Sequence, residues 1–113
     1  MNIQIFGTKK SADARKAERW FKERGIRFQY VDLFEKGMSR GELQSVAQAV
    51  GGVDALADPA CKDRELYTLF QYLDPAARME KLLDHPELLR QPIVRNGRLA
   101  TVGYAPEVWK TWT

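Results

Sequence analysis

The sequence predicts an α/β domain in which a four-stranded mixed sheet is flanked by helices. Three observations lead there. Strand, helix and strand signals follow one another between Asn2 and Leu33, and helical patterning fills the middle of the chain. Two alternating segments joined by Asn96-Gly97 then precede a last helical stretch. A strand, a crossover helix and a second strand make a βαβ unit with parallel strands and a right-handed connection. A two-residue Asn-Gly link between alternating segments is the strongest short-range signal for an antiparallel hairpin. Parallel and antiparallel pairs must therefore share one sheet. One domain over residues 1–113 is expected, with a βαβ half at 1–37, a helical insertion at 38–86 and a ββα half at 87–113.

Asn2-Ile3-Gln4-Ile5-Phe6 reads as the first strand, and Gly7-Thr8-Lys9-Lys10-Ser11 turns it into a helix from Ala12 to Arg24. Ala14, Ala17 and Phe21 share one face, the spacing of a stripe that packs on a sheet. Arg15, Lys16, Arg19 and Lys22 cover much of the rest, and Gly25 supplies the left-handed residue that ends such helices. Arg27-Phe28-Gln29-Tyr30-Val31-Asp32-Leu33 alternates polar with β-branched and aromatic residues, as a second strand does. After a break at Gly37, Ser39 and Glu42 form a capping box; Leu43, Val46, Ala47 and Val50 follow as a stripe that stops at Gly51-Gly52. From Asp58-Pro59 to Leu73 a loop leads into a short helix carrying Leu66, Leu69 and Phe70. Asp74-Pro75 opens the next helix, with Asp as its cap and Pro at its first position. That helix ends near His85-Pro86, because the residue before a proline avoids helical geometry. Gln91–Arg95 and Arg98–Val102 are the hairpin strands, and Ala105-Pro106-Glu107 starts a terminal helix containing Val108, Trp109 and Trp112.

With 113 residues, 44% of them hydrophobic and 29% charged, the chain has the composition of a globular domain with little core to spare. No apolar run approaches the roughly 20 residues needed to span a bilayer, and no basic segment followed by an apolar one marks a secretory leader. A cytoplasmic protein without membrane contact is expected. The one cysteine, Cys61, excludes an internal disulfide and a multi-thiolate metal site. A net charge of +3 suits small anions or acidic partners and is too small to imply direct nucleic-acid binding.

The chemistry-bearing feature is the first strand-to-helix turn. Helix N-termini present unpaired N–H groups and stabilise a thiolate, and thioredoxin-like proteins keep their reactive cysteine there. Ile5-Phe6-Gly7-Thr8-Lys9-Lys10-Ser11 leading to Arg15-Lys16-Ala17, the helical middle, His85-Pro86-Glu87-Leu88-Leu89-Arg90-Gln91-Pro92-Ile93-Val94 and Val102-Gly103-Tyr104 recur in a familiar order. Together they resemble the arsenate reductase (ArsC) family and its relative Spx along nearly the full length. The resemblance implies a thioredoxin-like, glutaredoxin-like fold. In the reductases a cysteine after the first strand attacks arsenate, backbone amides and arginines hold the oxyanion, and glutathione and glutaredoxin resolve the adduct. Spx-type members instead carry a CxxC switch and contact RNA polymerase.

Position by position, the family nucleophile falls on Ser11, the second switch cysteine on Ala14, and the arginine before Pro-Ile-Val on Gln91, with Arg90 adjacent. The last-strand arginine finds only Val102-Gly103-Tyr104, while Arg15 matches. The resemblance thus implies a glutaredoxin-like protein that binds a small oxyanion or a glutathione-type thiol without conventional arsenate reduction. Glutathione would be ligand or co-substrate, and glutaredoxin a partner. If the native residue at position 11 were cysteine, it would be a thiol reductase. The alternative is an Spx-like adaptor on RNA polymerase.

Ser11 admits three readings: an N-cap, for which serine is a preferred residue; a replacement for cysteine; or a nucleophile. A serine nucleophile needs an adjacent base, and the one histidine, His85, sits before Pro86 at a helix end. Lys9, Lys10, Ser11 and Arg15, with Arg90, make either an oxyanion or glutathione-carboxylate site or a solvated basic face. Cys61 is either a thiol made reactive by Lys62 or a small buried hydrophobe. Pro92 resembles the cis-proline of thioredoxin-like folds, whose neighbours Gln91 and Ile93 would offer backbone groups to an extended thiol peptide; otherwise it only starts a strand.

Overall fold

Strand β1 (Ile3–Gly7) lies inside the sheet, and the rest of the chain is arranged around it in this computed structural model, which describes residues 1–113. It pairs in parallel with β2 (Phe28–Asp32), Ile5 beside Tyr30, and antiparallel with β3 (Ile93–Asn96), Ile5 beside Val94. β4 (Leu99–Val102) completes the hairpin through Asn96-Gly97, where Gly97 takes the positive φ of +60° that such a turn requires. The order β2-β1-β3-β4 is the mixed four-stranded sheet the sequence predicts.

Successive residues of a strand point to opposite faces, and here both faces are apolar. On one, Ile3, Ile5 and Val94 meet Ala17, Trp20 and Phe21 of α1 (Ala12–Glu23) and Trp109 of α5 (Pro106–Trp109). Trp109 is fully buried, edge-on to Trp20 at 5.4 Å, and its indole N–H donates to Thr101 Oγ1 at 2.8 Å. On the other face, Phe6, Leu33 and Ile93 meet Leu43, Val46 and Ala47 of α2 (Arg40–Val50), Phe70 of α3 (Arg64–Gln71) and Leu82 of α4 (Pro75–Asp84). The helical insertion is therefore one whole layer of an α/β/α stack.

Local chemistry starts and stops these helices. Ser39 and Glu42 cap α2 reciprocally, Asp63 accepts the Leu66 N–H at 3.1 Å, and Asp74 accepts the Ala77 N–H at 2.8 Å. α1 ends at Glu23 with Arg24 as its cap and Gly25 beyond it at φ +67°. Several boundaries differ from the sequence reading. Trp20 joins the buried face of α1, three residues after Ala17. A 3-10 turn, Val53–Leu56, follows the Gly51-Gly52 break, and a second occupies Pro86–Leu88. α3 is only two turns long, so Phe70 turns inward while Leu69 stays exposed. The terminal helix is one α-turn followed by a 3-10 turn, Lys110–Trp112; so short an element buries one large residue, and Trp109 takes that place while Val108 is exposed. No helix is long and apolar enough to cross a membrane.

Candidate functional site

β1 runs almost directly into α1 because Gly7 and Ala14 let strand and helix approach closely: a Cβ on Gly7 would stand 2.7 Å from the Ala14 Cβ. The Ser11 N–H donates to the Thr8 carbonyl at 3.1 Å and closes the Lys9-Lys10 turn. Ser11 is the N-cap of α1, its Oγ accepting the Ala14 N–H at 3.1 Å. The N–H groups of Ala12 and Asp13 make no hydrogen bond within the chain, as the first turn of a helix dictates. The Ser11 hydroxyl proton also remains free to donate.

The segment before β3 forms the facing wall. The Gln91–Pro92 peptide bond is cis. Gln91 Oε1 accepts both the Thr8 N–H at 2.6 Å and the Thr8 hydroxyl at 3.1 Å. That pair fixes which end of the amide faces Thr8 and leaves the Gln91 NH2 group without a partner in the chain. The Arg90 N–H donates to the Leu56 carbonyl and the Asp58 N–H to the Leu88 carbonyl, each at 2.8 Å. These bonds clip the Asp58-Pro59-Ala60 loop to the same segment. The Pro92 carbonyl accepts the Gly103 N–H at 2.8 Å, anchoring the wall to the end of β4.

Between the walls lies a cavity of about 620 Å³, lined by Ser11, Ala12, Asp13, Asp58, Pro59, Ala60, Arg90 and Gln91. A second, of about 410 Å³, shares Ser11, Asp58, Ala60 and Gln91 and reaches Lys10, Cys61 and Glu87. Cations and carboxylates thus face the same space. Arg90 makes neither a hydrogen bond nor an ion pair through its side chain.

The structure brings Ser11, Arg90 and Gln91 to one cavity, with Lys10 at the adjoining one; Pro92, cis and buried, follows Gln91 and lines neither. The same arrangement sets two expected members apart. Lys9 and Arg15 line neither cavity; the Arg15 Nη1 donates to the Lys9 carbonyl at 2.7 Å, which folds that guanidinium back onto the turn. Cys61 is 5% exposed, packs in the larger core and donates its thiol to the Glu87 carbonyl at 3.5 Å, the placement of a small hydrophobe. His85 stands at the end of α4 with Nδ1 3.5 Å from Glu87 Oε1 and lines neither cavity, so Ser11 has no imidazole beside it. Thr8, Asp13 and Asp58 line these cavities and were not among the expected site residues, and Gly103 stands against the Arg90 guanidinium without lining either cavity. Behind Gly7, burial and then the Glu18 and Asp32 carboxylates push the Tyr30 phenol above its ordinary pKa, against a smaller opposing effect of Arg15.

A strand-to-helix turn facing a cis-proline across a mixed sheet is the plan of thioredoxin-like proteins, and this chain is one of them. Its sequence matches the ArsC family over residues 6–112, and the chain belongs to that family. It is 31% identical over 104 residues to an arsenate reductase of Neisseria meningitidis, spanning 89% of each protein. It is 30% identical over 106 residues to the global transcriptional regulator Spx 2 of Oceanobacillus iheyensis, spanning 92% of this chain and 78% of the relative. The structure of an arsenate reductase from Vibrio cholerae superposes with a TM-score of 0.81 at 26% identity, over 96% of this chain and 94% of the other.

Proposed function

We propose that this ArsC-family protein binds a small anion or a glutathione-type thiol at the N-terminus of α1 and does not perform conventional arsenate reduction. The observation that supports this reading is a donor-rich cradle around a missing thiol. The free N–H groups of Ala12 and Asp13, the Gln91 NH2 group and the unpaired Arg90 guanidinium border the cavity beside Ser11. Such donors at a helix N-terminus attract anions. The alcohol does not take over the nucleophile's part: Ser11 Oγ is engaged in capping, and no histidine stands by as base. A cytoplasmic setting, where glutathione is abundant, belongs to the same proposal.

The test is a two-dimensional NMR titration with arsenate, phosphate and reduced glutathione, following the amides of residues 10–14 in the wild-type chain and in Ser11→Cys. Saturable shifts are expected. Glutaredoxin-coupled turnover by Ser11→Cys would mark a thiol-reductase scaffold disarmed at one atom. Amides unmoved by millimolar ligand in both chains would refute the pocket.

Two relatives named as regulators, Spx 2 of O. iheyensis and MgsR of Bacillus subtilis, favour a second reading: an Spx-like adaptor that contacts RNA polymerase. Positions 11 and 14 are Ser and Ala, so such an adaptor would be insensitive to redox state. It predicts a pocket indifferent to anions and direct binding to purified RNA polymerase under oxidising and reducing conditions alike.

A further inference from the structure

We infer that the solvent face of α1 is a docking surface for an acidic helix of a partner protein, whatever the cavity beside Ser11 holds. The positive charge of the chain is gathered there. Residues 9–24 hold seven of its 18 lysines and arginines and three of its 15 carboxylates, so this segment carries +4 and the remaining 97 residues carry −1.

The helix sorts these charges by direction. Ala14, Ala17, Trp20 and Phe21 are buried against the sheet, which leaves Arg15, Lys16, Arg19 and Lys22 exposed on the opposite side. At 3.6 residues per turn these four fall within an arc of about 120°, and Arg15, Arg19 and Lys22 form a row about 10 Å long. Glu23 is the one carboxylate inside that arc, at its far end, while Asp13 and Glu18 stand outside it. Compensation within the chain is slight. Lys22 meets Glu18 at 4.0 Å, an exposed contact of little strength in water, and Arg15, Lys16 and Arg19 pair with no carboxylate. The Lys9 carbonyl instead holds the Arg15 guanidinium, which fixes it and leaves its charge unneutralised. Arg15, absent from both cavities, thus heads the row.

Such a row selects its partner. Carboxylates at positions i, i+4 and i+7 of a facing helix lie on one side of it and repeat at the interval of Arg15, Arg19 and Lys22. Matched potentials of that sort orient two surfaces and speed their encounter. Two of the three cations are arginines, the residue enriched where interfaces concentrate their binding energy. A cation among the partner's carboxylates would meet Glu23. Phosphate chains fit less well. They are negative at every step and would run against Asp13, Glu18 and Glu23 on the same helix. No large apolar side chain is exposed between residues 9 and 24, so a single strand finds no ring on which to stack its bases.

The experiment titrates the full chain with three probes: an alanine-based helical peptide with glutamates at i, i+4, i+7 and i+11, a peptide of the same composition with its glutamates spread around the helix, and a short oligothymidylate. NMR amide shifts of residues 15–24 give site and affinity at low and at physiological salt. The striped peptide is expected to bind about tenfold more tightly than the scattered one, and less tightly as salt rises. Arg19→Glu should weaken it about tenfold and Arg19→Gln by less. Arg98→Glu, which changes net charge equally on the exposed hairpin turn, should leave its binding unchanged. Equal affinity for the two peptides, or equal losses in the two charge reversals, would reduce the effect to net charge and overturn the inference. Tighter binding of the oligonucleotide would overturn the partner class in favour of nucleic acid. Amides unmoved by every probe at millimolar concentration would overturn the docking surface itself.

Discussion

Replacing Ser11 by cysteine puts a sulfur where Oγ now accepts the Ala14 N–H at 3.1 Å, beside the unpaired N–H groups of Ala12 and Asp13 at the head of a 12-residue helix. A hydrogen bond to a charged acceptor contributes about 1.5–3 kcal/mol, and the helix terminus adds about 0.3–1 kcal/mol. Residue 11 is only half-buried, and Asp13 opposes an anion in the same turn. Roughly half of the sum should therefore survive, about 1.4 kcal/mol, which is about one pKa unit. The thiol of Ser11→Cys is expected to titrate about one unit below the ordinary value of about 8.5. Thiolate absorbance, taken as the difference between variant and wild type so that Cys61 cancels, measures it. Stability must follow with a definite sign. A depressed folded pKa adds stability that is fully present above the unfolded value, about pH 8.5, and is lost as pH falls through the folded value, about pH 7.5. Urea midpoints for Ser11→Cys should thus rise across that window while those for Ser11→Ala stay level. A thiol titrating at or above about 8.5 would refute the convergence of free helix donors on residue 11.

Three further outcomes are expected. Trp109→Phe strands the buried Thr101 hydroxyl and should lower unfolding free energy by about 1–3 kcal/mol in urea titrations. Gly7→Ala drives a methyl group into the Ala14 Cβ and should cost about 1–3 kcal/mol while shifting the amides of the β1–α1 turn. The Tyr30 phenol, raised by burial and by Glu18 and Asp32, adds stability that is present below its unfolded pKa of about 10 and is lost as pH rises through the higher folded value. Alkaline unfolding should accordingly be less steep in Tyr30→Phe.

Elements with local chemistry were legible in the sequence. The Ser39–Glu42 box, Asp74-Pro75 and Asn96-Gly97 each carry their own hydrogen bonds or backbone preference, and each appears where the pattern places it. Strand and helix ends moved by a residue or so, since propensity changes gradually where hydrogen bonding stops abruptly. The site was legible only as far as its local half. Ser11 as a cap follows from residues three apart, whereas the Thr8–Gln91 pair joins residues 83 apart and leaves no trace in either neighbourhood. Arg15 is the opposite case: its charge is visible in sequence, but its hydrogen bond to the Lys9 carbonyl is not. Asp58 becomes a site residue, and Gly103 a neighbour of Arg90, only once the Ala57–Leu89 bridge and the β3–β4 hairpin have brought their segments to Arg90.

Because β1 sits between β2 and β3, one of its edges has no partner until residues 93–96 have been synthesised. The βαβ half and the helical insertion leave the ribosome first, at about 5–20 residues per second. For several seconds the nascent chain therefore displays a row of unsatisfied N–H and C=O groups along Ile3–Phe6, a template for pairing with another chain. Fusing the hairpin ahead of β1 by circular permutation would shorten that exposure. The same strand leads into the turn that caps α1, and Thr8 meets Gln91 only after the hairpin emerges. If the cleft binds a ligand as proposed, that competence is gained late and all at once, so an added ligand would rescue finished chains from aggregation and leave stalled ones unprotected.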